Sequence, residues 1–253
     1  MTNKPNIIIF RNELLPFSET FILAQGEGLQ RYTPYYLGSR AVDGLKLPPE
    51  RMIRVNRNKW TGKAQEAVFK VWGVVPGLYA RLKKLQPVLI HAHFGPDGAC
   101  AMPLAEYLKI PLLVTFHGYD ATTTDQYAIQ SFYRHRIYVR KKTQLKQQGR
   151  LFIAVSEFIK RKLVEQGFPE DSIIVHYTGV DTNAFQPDPA IQREPIVLFV
   201  GRLFENKGCG HLIKAMARVQ TAKPEVKLIV VVVDSVFAGK SASVQFAAIE
   251  GSR

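Results

Sequence analysis

Cysteine is nearly absent from this chain of 253 residues: there are two, Cys100 and Cys209, with no metal-like spacing. That excludes a disulfide scaffold and a cysteine-based zinc module, and both thiols are expected to be buried. Long apolar runs are missing too. No stretch approaches the ~18 apolar residues of a membrane span. The run Ile7 to Phe10 is too short for the apolar core of a secretory signal, so the expectation is a cytoplasmic protein. Acidic residues are scarce: 21 Asp and Glu stand against 34 Lys and Arg, a formal net charge of +13. Residues 188 to 253 hold 9 basic and 6 acidic residues, which leaves +10 on residues 1 to 187. The segment Arg134 to Arg150 is the densest patch, and no acidic residue occurs between Asp125 and Glu157. Such a face suits an anionic membrane surface or phosphorylated ligands; a solvated basic helix is the plain alternative. No nucleic-acid partner is expected, because no RNA- or DNA-reading motif accompanies the charge.

What is present alternates. The segment Leu89 to Asp120 reads as strand, polar loop, helix, strand, polar loop, a βαβ unit whose apolar runs (Val88 to Ile90, Leu112 to Val114) stop at Gly-containing loops. His91, His93, His117 and Asp120 fall at those strand ends, where parallel sheets open a crevice for ligands. Upstream, a strand is expected at Asn6 to Phe10, a helix capped by Ser18, and a second strand at Tyr35 to Leu37. Residues 40 to 60 read as irregular, and a helix as covering Lys63 to Val71. Downstream come a basic helix from Gln126 to Gln147, a strand Leu151 to Val155, a helix capped by Ser156 and ended by Gly167 and Pro169, and a strand Ile173 to His176. This order predicts an α/β fold with a doubly wound parallel sheet.

Residues 179 to 195 contain three prolines and no apolar period, as a linker does. The pattern then restarts with a strand Ile196 to Val200, a loop Gly201 to Gly208, a helix to Gln220 and a strand Val226 to Val233. Two domains follow: residues 1–187, and a partial second one over 188–253 that keeps the pattern to about 233. The Ser-, Ala- and Gly-rich segment after Val233 does not read as a further helix and strand.

The combination RNELLPFSETFI, HAHFGPDGA, TFHGYD, AVSEFIKRKL, HYTGVDTNAF and VGRLFENKG resembles the retaining GT-B glycosyltransferases of family four, especially those that extend bacterial exopolysaccharides on lipid carriers. The resemblance covers residues 6 to 233. It implies two facing Rossmann-like domains, a UDP- or GDP-linked sugar donor held mainly by the second, a saccharide or lipid-linked acceptor on the first, and no metal. Gly201, Arg202 and Lys207 match the GR…K element, whose cations neutralise the donor diphosphate; cations at a strand-to-helix turn suit that task, and a solvated turn is the bland alternative. His117 and Asp120 match the HG.D loop beside the transferred sugar. A neutral imidazole can bond a sugar oxygen there, while Asp120 either takes part or fixes the loop. Ser18, Glu19 and Thr20 match the SETF element, or are simply a cap. His91 and His93 are read as strand-end residues lining the crevice and His93 and Gly95 as donor-binding, with Gly95 and Gly98 permitting close approach to a ligand or to the next helix. His91 and His93 share a strand face but lack a third metal ligand.

A pair of glutamates with seven residues between them, which the family carries late in its second domain, is missing here. Three expectations follow: a truncated, inactive glycosyltransferase; one half of a split enzyme completed by a complementing C-terminal domain; or a non-catalytic basic module that binds membrane or lipid-linked saccharide.

Overall fold

The computed structural model describes residues 4–56, 61–73, 75, 77–131, 133–233 and 244–249. They form two compact units, Met1–Gly179 and Val180–Arg253.

The first unit contains β1 (Asn6–Phe10), β2 (Glu13–Leu14), α1 (Thr20–Glu27), β3 (Thr33–Gly38), β4 (Arg40–Ala41), β5 (Met52–Arg54), α2 (Thr61–Trp72), α3 (Leu78–Leu85), β6 (Ile90–His93) and α4 (Gly95–Leu108). It continues with β7 (Leu112–Phe116), α5 (Tyr119–Thr122), α6 (Asp125–Gln130), α7 (Tyr133–Gln148), β8 (Leu151–Ala154), α8 (Glu157–Glu165) and β9 (Ile173–Val175). Seven strands make one parallel sheet in the order β5-β3-β1-β6-β7-β8-β9. The apolar run of β1 is continuous because both of its faces are covered. Ile8 and Phe10 point into one cluster with Phe69, Leu82, Val114, Phe116 and Phe152, while Ile7 and Ile9 join Leu15, Ile22 and Tyr36 on the other side. The α/β doubly wound expectation is met.

α4 lies against β6, β7 and α7, and ten of its fourteen residues are buried, because its first half, GPDGACA, carries small side chains. A Cβ on Gly98 would come within 2.8 Å of Val114, and one on Gly95 within 2.8 Å of Phe116 and Tyr138. The close approach that these glycines permit is therefore to the neighbouring strand and helix. Ser156 caps α8, its Oγ accepting from Ile159 N at 3.2 Å, and Gly167 follows that helix with φ +79°. Both cysteines are buried, and burial pushes the Cys100 thiol up to about 11.

Four local expectations are corrected. Residues 40 to 60 hold more order than expected: 42–48 are irregular as read, but β4 pairs with β2 and β5 extends the large sheet beside β3, while residues 57–60 lie outside the described residues. The basic helix is two helices, parted at Ser131, with Thr124 capping α6. Ser18 caps nothing; a 3-10 turn over Phe17–Glu19 leads into α1 without a side-chain cap. The strand expected at Val88 to Ile90 starts at Ile90 and runs on through His91 and His93, which a buried strand tolerates because both rings are bonded and stacked.

In the second unit, β10 (Ile196–Gly201) pairs parallel with β11 (Lys227–Val233), and α9 (Cys209–Ala222) packs its Cys209 and Met216 on Leu228 and Val230. The segment after Val233 supplies a strand after all: β12 (Val244–Ile249) pairs antiparallel with β11. A connection of ten residues from Val233 to Val244 is shorter than a helical crossover needs, so the strand returns in the opposite direction.

Candidate active site

The order of the large sheet reverses between β1 and β6: from β1 the chain moves outward to β3, and from β6 it moves the other way to β7. Such a switch point parts the loops at the carboxyl ends of the two strands and leaves room for a ligand. Arg11 follows β1 there, and Phe94 follows β6.

Arg11 organises one side. Its Nη1 donates to Asp97 Oδ2 at 2.6 Å, and its Nε and Nη2 donate to the Glu19 carboxylate at 2.9 and 2.7 Å. The guanidinium lies over the Phe94 ring, 4.6 Å from its centroid. Asp97, fully buried in the first turn of α4, also accepts from Asn12 N at 2.8 Å and from Arg134 Nη2. Burial alone would push its carboxyl up, but Arg11, Arg134 and the Asn12 N–H outweigh that and hold it below the ordinary range. Glu19 is raised instead, because burial exceeds what Arg11 returns. Phe94 adopts φ +74° and ψ 141°, a backbone region that side chains other than glycine's rarely enter. That strain turns the chain sharply from β6 into α4 and sets the ring between Arg11 and His117.

The other side is a stack of imidazoles. His91 and His93 stack at 4.5 Å, and His93 and His117 at 5.3 Å. His91 Nε2 bonds Thr115 Oγ1 at 2.7 Å, and His93 Nδ1 faces His117 Nε2 at 3.0 Å. Phe21 and Phe94 flank His117, with centroids at 4.8 and 4.6 Å. Burial holds His91 and His117 at about 4 and His93 well below the usual imidazole value, so all three are neutral near pH 7. His117 is half-buried, whereas His93 is fully buried and meets a ligand only through its neighbours. His93 therefore does not line the crevice as expected.

Asp120 acts on backbone. Its Oδ1 accepts from His117 N and Gly118 N, both at 3.0 Å, and its Oδ2 accepts from Gly95 N at 2.9 Å. It staples the loop after β7 to the first turn of α4 and so sets the position of His117. Burial pushes its carboxyl up to about 6 against the pull of those donors. Gly95, expected beside a ligand, is buried under Phe116 and Tyr138.

Of the other expected site residues, Glu19 is committed to Arg11, while Ser18 and Thr20 are exposed at the start of α1. Gly201, Arg202 and Lys207 gather in the second unit, at the turn between β10 and α9. Gly201 ends the strand, Arg202 is exposed with its guanidinium 4.9 Å from the Phe204 ring centroid, and Lys207 is exposed ahead of Gly208, whose φ of +73° opens α9. The histidine stack belongs to the first unit. Among the described residues no group of three or more His, Cys, Asp or Glu is arranged to hold a metal ion. Arg11, Phe94, Asp97 and Arg134 carry the geometry but were not singled out from sequence. The available signal was a charged Arg directly after a buried strand, paired with an Asp in a helical first turn.

A family model described as Glycosyltransferase Family 4 matches residues 36–184, and one described as Glycosyl transferases group 1 matches residues 181–232. A relative from Escherichia coli, named for glycosyl transfer in colanic acid biosynthesis, is 30% identical over 133 residues, covering 51% of this chain and 31% of the relative. The chain spans 31% to 47% of the length of this and another curated relative. Among solved structures, a sucrose-phosphate synthase from Thermosynechococcus elongatus superimposes with a TM-score of 0.65 at 18% identity, covering 90% of this chain and 62% of that one. An Anabaena protein solved with UDP and glucose gives 0.62 at 18%, covering 88% and 60%. At those identities the likeness is one of fold.

Proposed function

We propose, for a chain that belongs to Glycosyltransferase Family 4, that it serves in moving a sugar from a UDP- or GDP-linked donor to a polysaccharide or lipid-linked saccharide, with retention at the anomeric carbon. The single observation that carries this reading is His117: a neutral, half-buried imidazole at the carboxyl end of β7, held by Asp120 through the backbone and flanked by Phe21 and Phe94 beside the switch point. A neutral imidazole bonds sugar oxygens without putting a charge beside the developing oxocarbenium ion, and aromatic neighbours suit the apolar faces of a sugar ring.

The donor diphosphate falls to the turn after β10. Arg202 and Lys207 are exposed cations next to the start of a fourteen-residue helix, and such a turn stabilises a leaving phosphate by charge and by helix N–H groups. The Anabaena neighbour's UDP and glucose support a nucleotide-sugar donor of this kind. Same-face attack by the acceptor hydroxyl as the diphosphate departs needs no carboxylate nucleophile. That agrees with the commitment of Asp97 and Glu19 to arginines and of Asp120 to backbone.

Calorimetry with UDP- and GDP-sugars tests the reading on the unsubstituted chain and on Arg202→Ala, Lys207→Ala and His117→Ala. A loss of about tenfold in affinity, the worth of one charge-assisted contact, is expected in at least one of the two cation variants. Equal affinity in all variants, or no binding by the unsubstituted chain, removes it.

A further inference from the structure

The pair formed by His93 and His117 contains more information than proximity. Two imidazole nitrogens, His93 Nδ1 and His117 Nε2, face each other at 3.0 Å, and burial keeps both rings neutral, so a single proton lies between them. Two arrangements satisfy that count. In one, His117 Nε2–H donates to His93 Nδ1; the proton of His93 then sits on Nε2. In the other, His93 Nδ1–H donates to His117 Nε2, which leaves His93 Nε2 a bare lone pair and puts the proton of His117 on Nδ1.

The surroundings of His93 distinguish them. His93 is fully buried, and its Nε2 has no hydrogen-bond partner among the described residues. The first arrangement would bury an N–H with nothing to accept it, the kind of orphan that folded proteins most consistently avoid; the second leaves only an unmet acceptor. His91, the nearest ring, offers no help, because its Nε2 is engaged with Thr115 and its ring stacks face-on against His93.

We infer that His93 is a positioning residue that locks His117 as its Nδ1–H tautomer. His117 then presents an N–H donor at the one ring nitrogen that makes no hydrogen bond among the described residues, and it selects an oxygen acceptor, a hydroxyl or ring oxygen of a saccharide, over a donor group. The choice of ligand group rests on the reading of His117 as the sugar contact; the tautomer itself does not.

Nitrogen-15 spectra of the histidine rings test this on the whole chain. The six histidines are labelled, and His117 is assigned by its disappearance in His117→Asn. In the unsubstituted protein at pH 7, Nδ1 of His117 is expected at a pyrrole-type shift and Nε2 at a pyridine-type shift. In His93→Asn, whose side-chain amide nitrogen overlays Nδ1 and can still donate, this pattern is retained. In His93→Leu, of similar volume and without a donor, the two shifts converge or exchange, because a solvated imidazole favours the Nε2–H form. A pyridine-type Nδ1 in the unsubstituted protein overturns the inference, and needs no variant to fold. So does an unchanged His117 in a His93→Leu chain whose amide spectrum is otherwise native. Donor affinity in His117→Ala judges the parent reading separately: if it is unchanged while the ring spectra behave as described, the tautomer lock stands and the sugar contact does not.

Discussion

At the scale of single residues, the site is defined by groups that are buried yet titratable, and their linkage to folding has a definite sign. His91 sits at about 4 in the folded protein against 6.5 for an unperturbed imidazole, because burial disfavours its charged form. The unfolded chain binds more protons between those values, so this stability is complete above about pH 6.5 and is lost as the pH falls toward 4. A shift of this size corresponds to about 3 kcal/mol at ~1.4 kcal/mol per unit. His93 and His117 act in the same direction. Asp120 opposes them: held at about 6 instead of 3.8, its contribution is present below about 3.8 and is lost as the pH rises to 6. Glu19, raised by burial, acts with Asp120, and Asp97, held low by its arginines, acts with the imidazoles, so four groups against two leave a net loss on acidification. His91→Gln keeps a bond to the Thr115 hydroxyl and cannot titrate. Its melting temperature should therefore fall less between pH 6.5 and 4.5 than that of the unsubstituted chain, and parallel curves would refute the assignment.

At the scale of elements, α4 and α7 are joined to the loop after β1 by one carboxylate. Asp97 holds Arg11, Arg134 and the Asn12 N–H from a fully buried position. Removing it takes from Arg134 its carboxylate and leaves Arg11 with Glu19 alone in a largely dry environment, and breaking a buried pair in this way typically costs about 3 to 5 kcal/mol. Asp97→Ala should lower the urea midpoint accordingly, and a change below about 1 kcal/mol would show that water reaches the pair. The basic stretch now resolves into working parts. Lys142 is buried against Asp125 and Gln166, and Lys146 donates to Gln166 O, so neither is free for a membrane. Arg136 and Arg140 are exposed on α7, while Tyr127, Ile129 and Tyr133 are exposed on α6 and at the start of α7. Cations with nearby interfacial aromatics suit an anionic bilayer surface. Sedimentation with phosphatidylserine vesicles should weaken in Arg136→Gln/Arg140→Gln by about a factor of ten or more, at ~1 kcal/mol per cation. Equal binding to neutral vesicles would count against the surface reading.

At the scale of the whole molecule, two units with separate cores are joined by a segment that is exposed throughout residues 176 to 196. From residue 177 to 194 its backbone bonds are local, such as Phe185 N to Asp181 O and Ile191 N to Asp188 O, and its prolines are exposed. Limited proteolysis should therefore cut first between Val180 and Pro195 and leave a fragment of the first unit with its far-ultraviolet spectrum intact. Initial cleavage within α4 or β6 would contradict that separation. The second unit covers one face of its sheet with α9, whereas Leu198 and Val200 on β10 are about 60% exposed, so it should be the less stable of the two fragments.

The alternation of strands and helices, the Ser156 cap, the buried thiols and the family motifs were legible in the sequence, because apolar period and turn chemistry act over a few residues. The histidine-bearing strand β6 was misplaced for a related reason: polar side chains read as a strand's end when their partners are out of local view. Those partners lie 24 residues away for His91 and His93, 25 for the Asp120–Gly95 staple and 86 for Arg11–Asp97. Contacts at such separations depend on which strands become neighbours, and that order is decided only when the sheet assembles. The sequence by itself determined the alternation of strands and helices and the family, and it offered candidate residues. The tertiary structure decided their roles: Asp120 as a backbone staple, His93 as a buried partner, and Arg11 with Asp97 as the frame of the switch point.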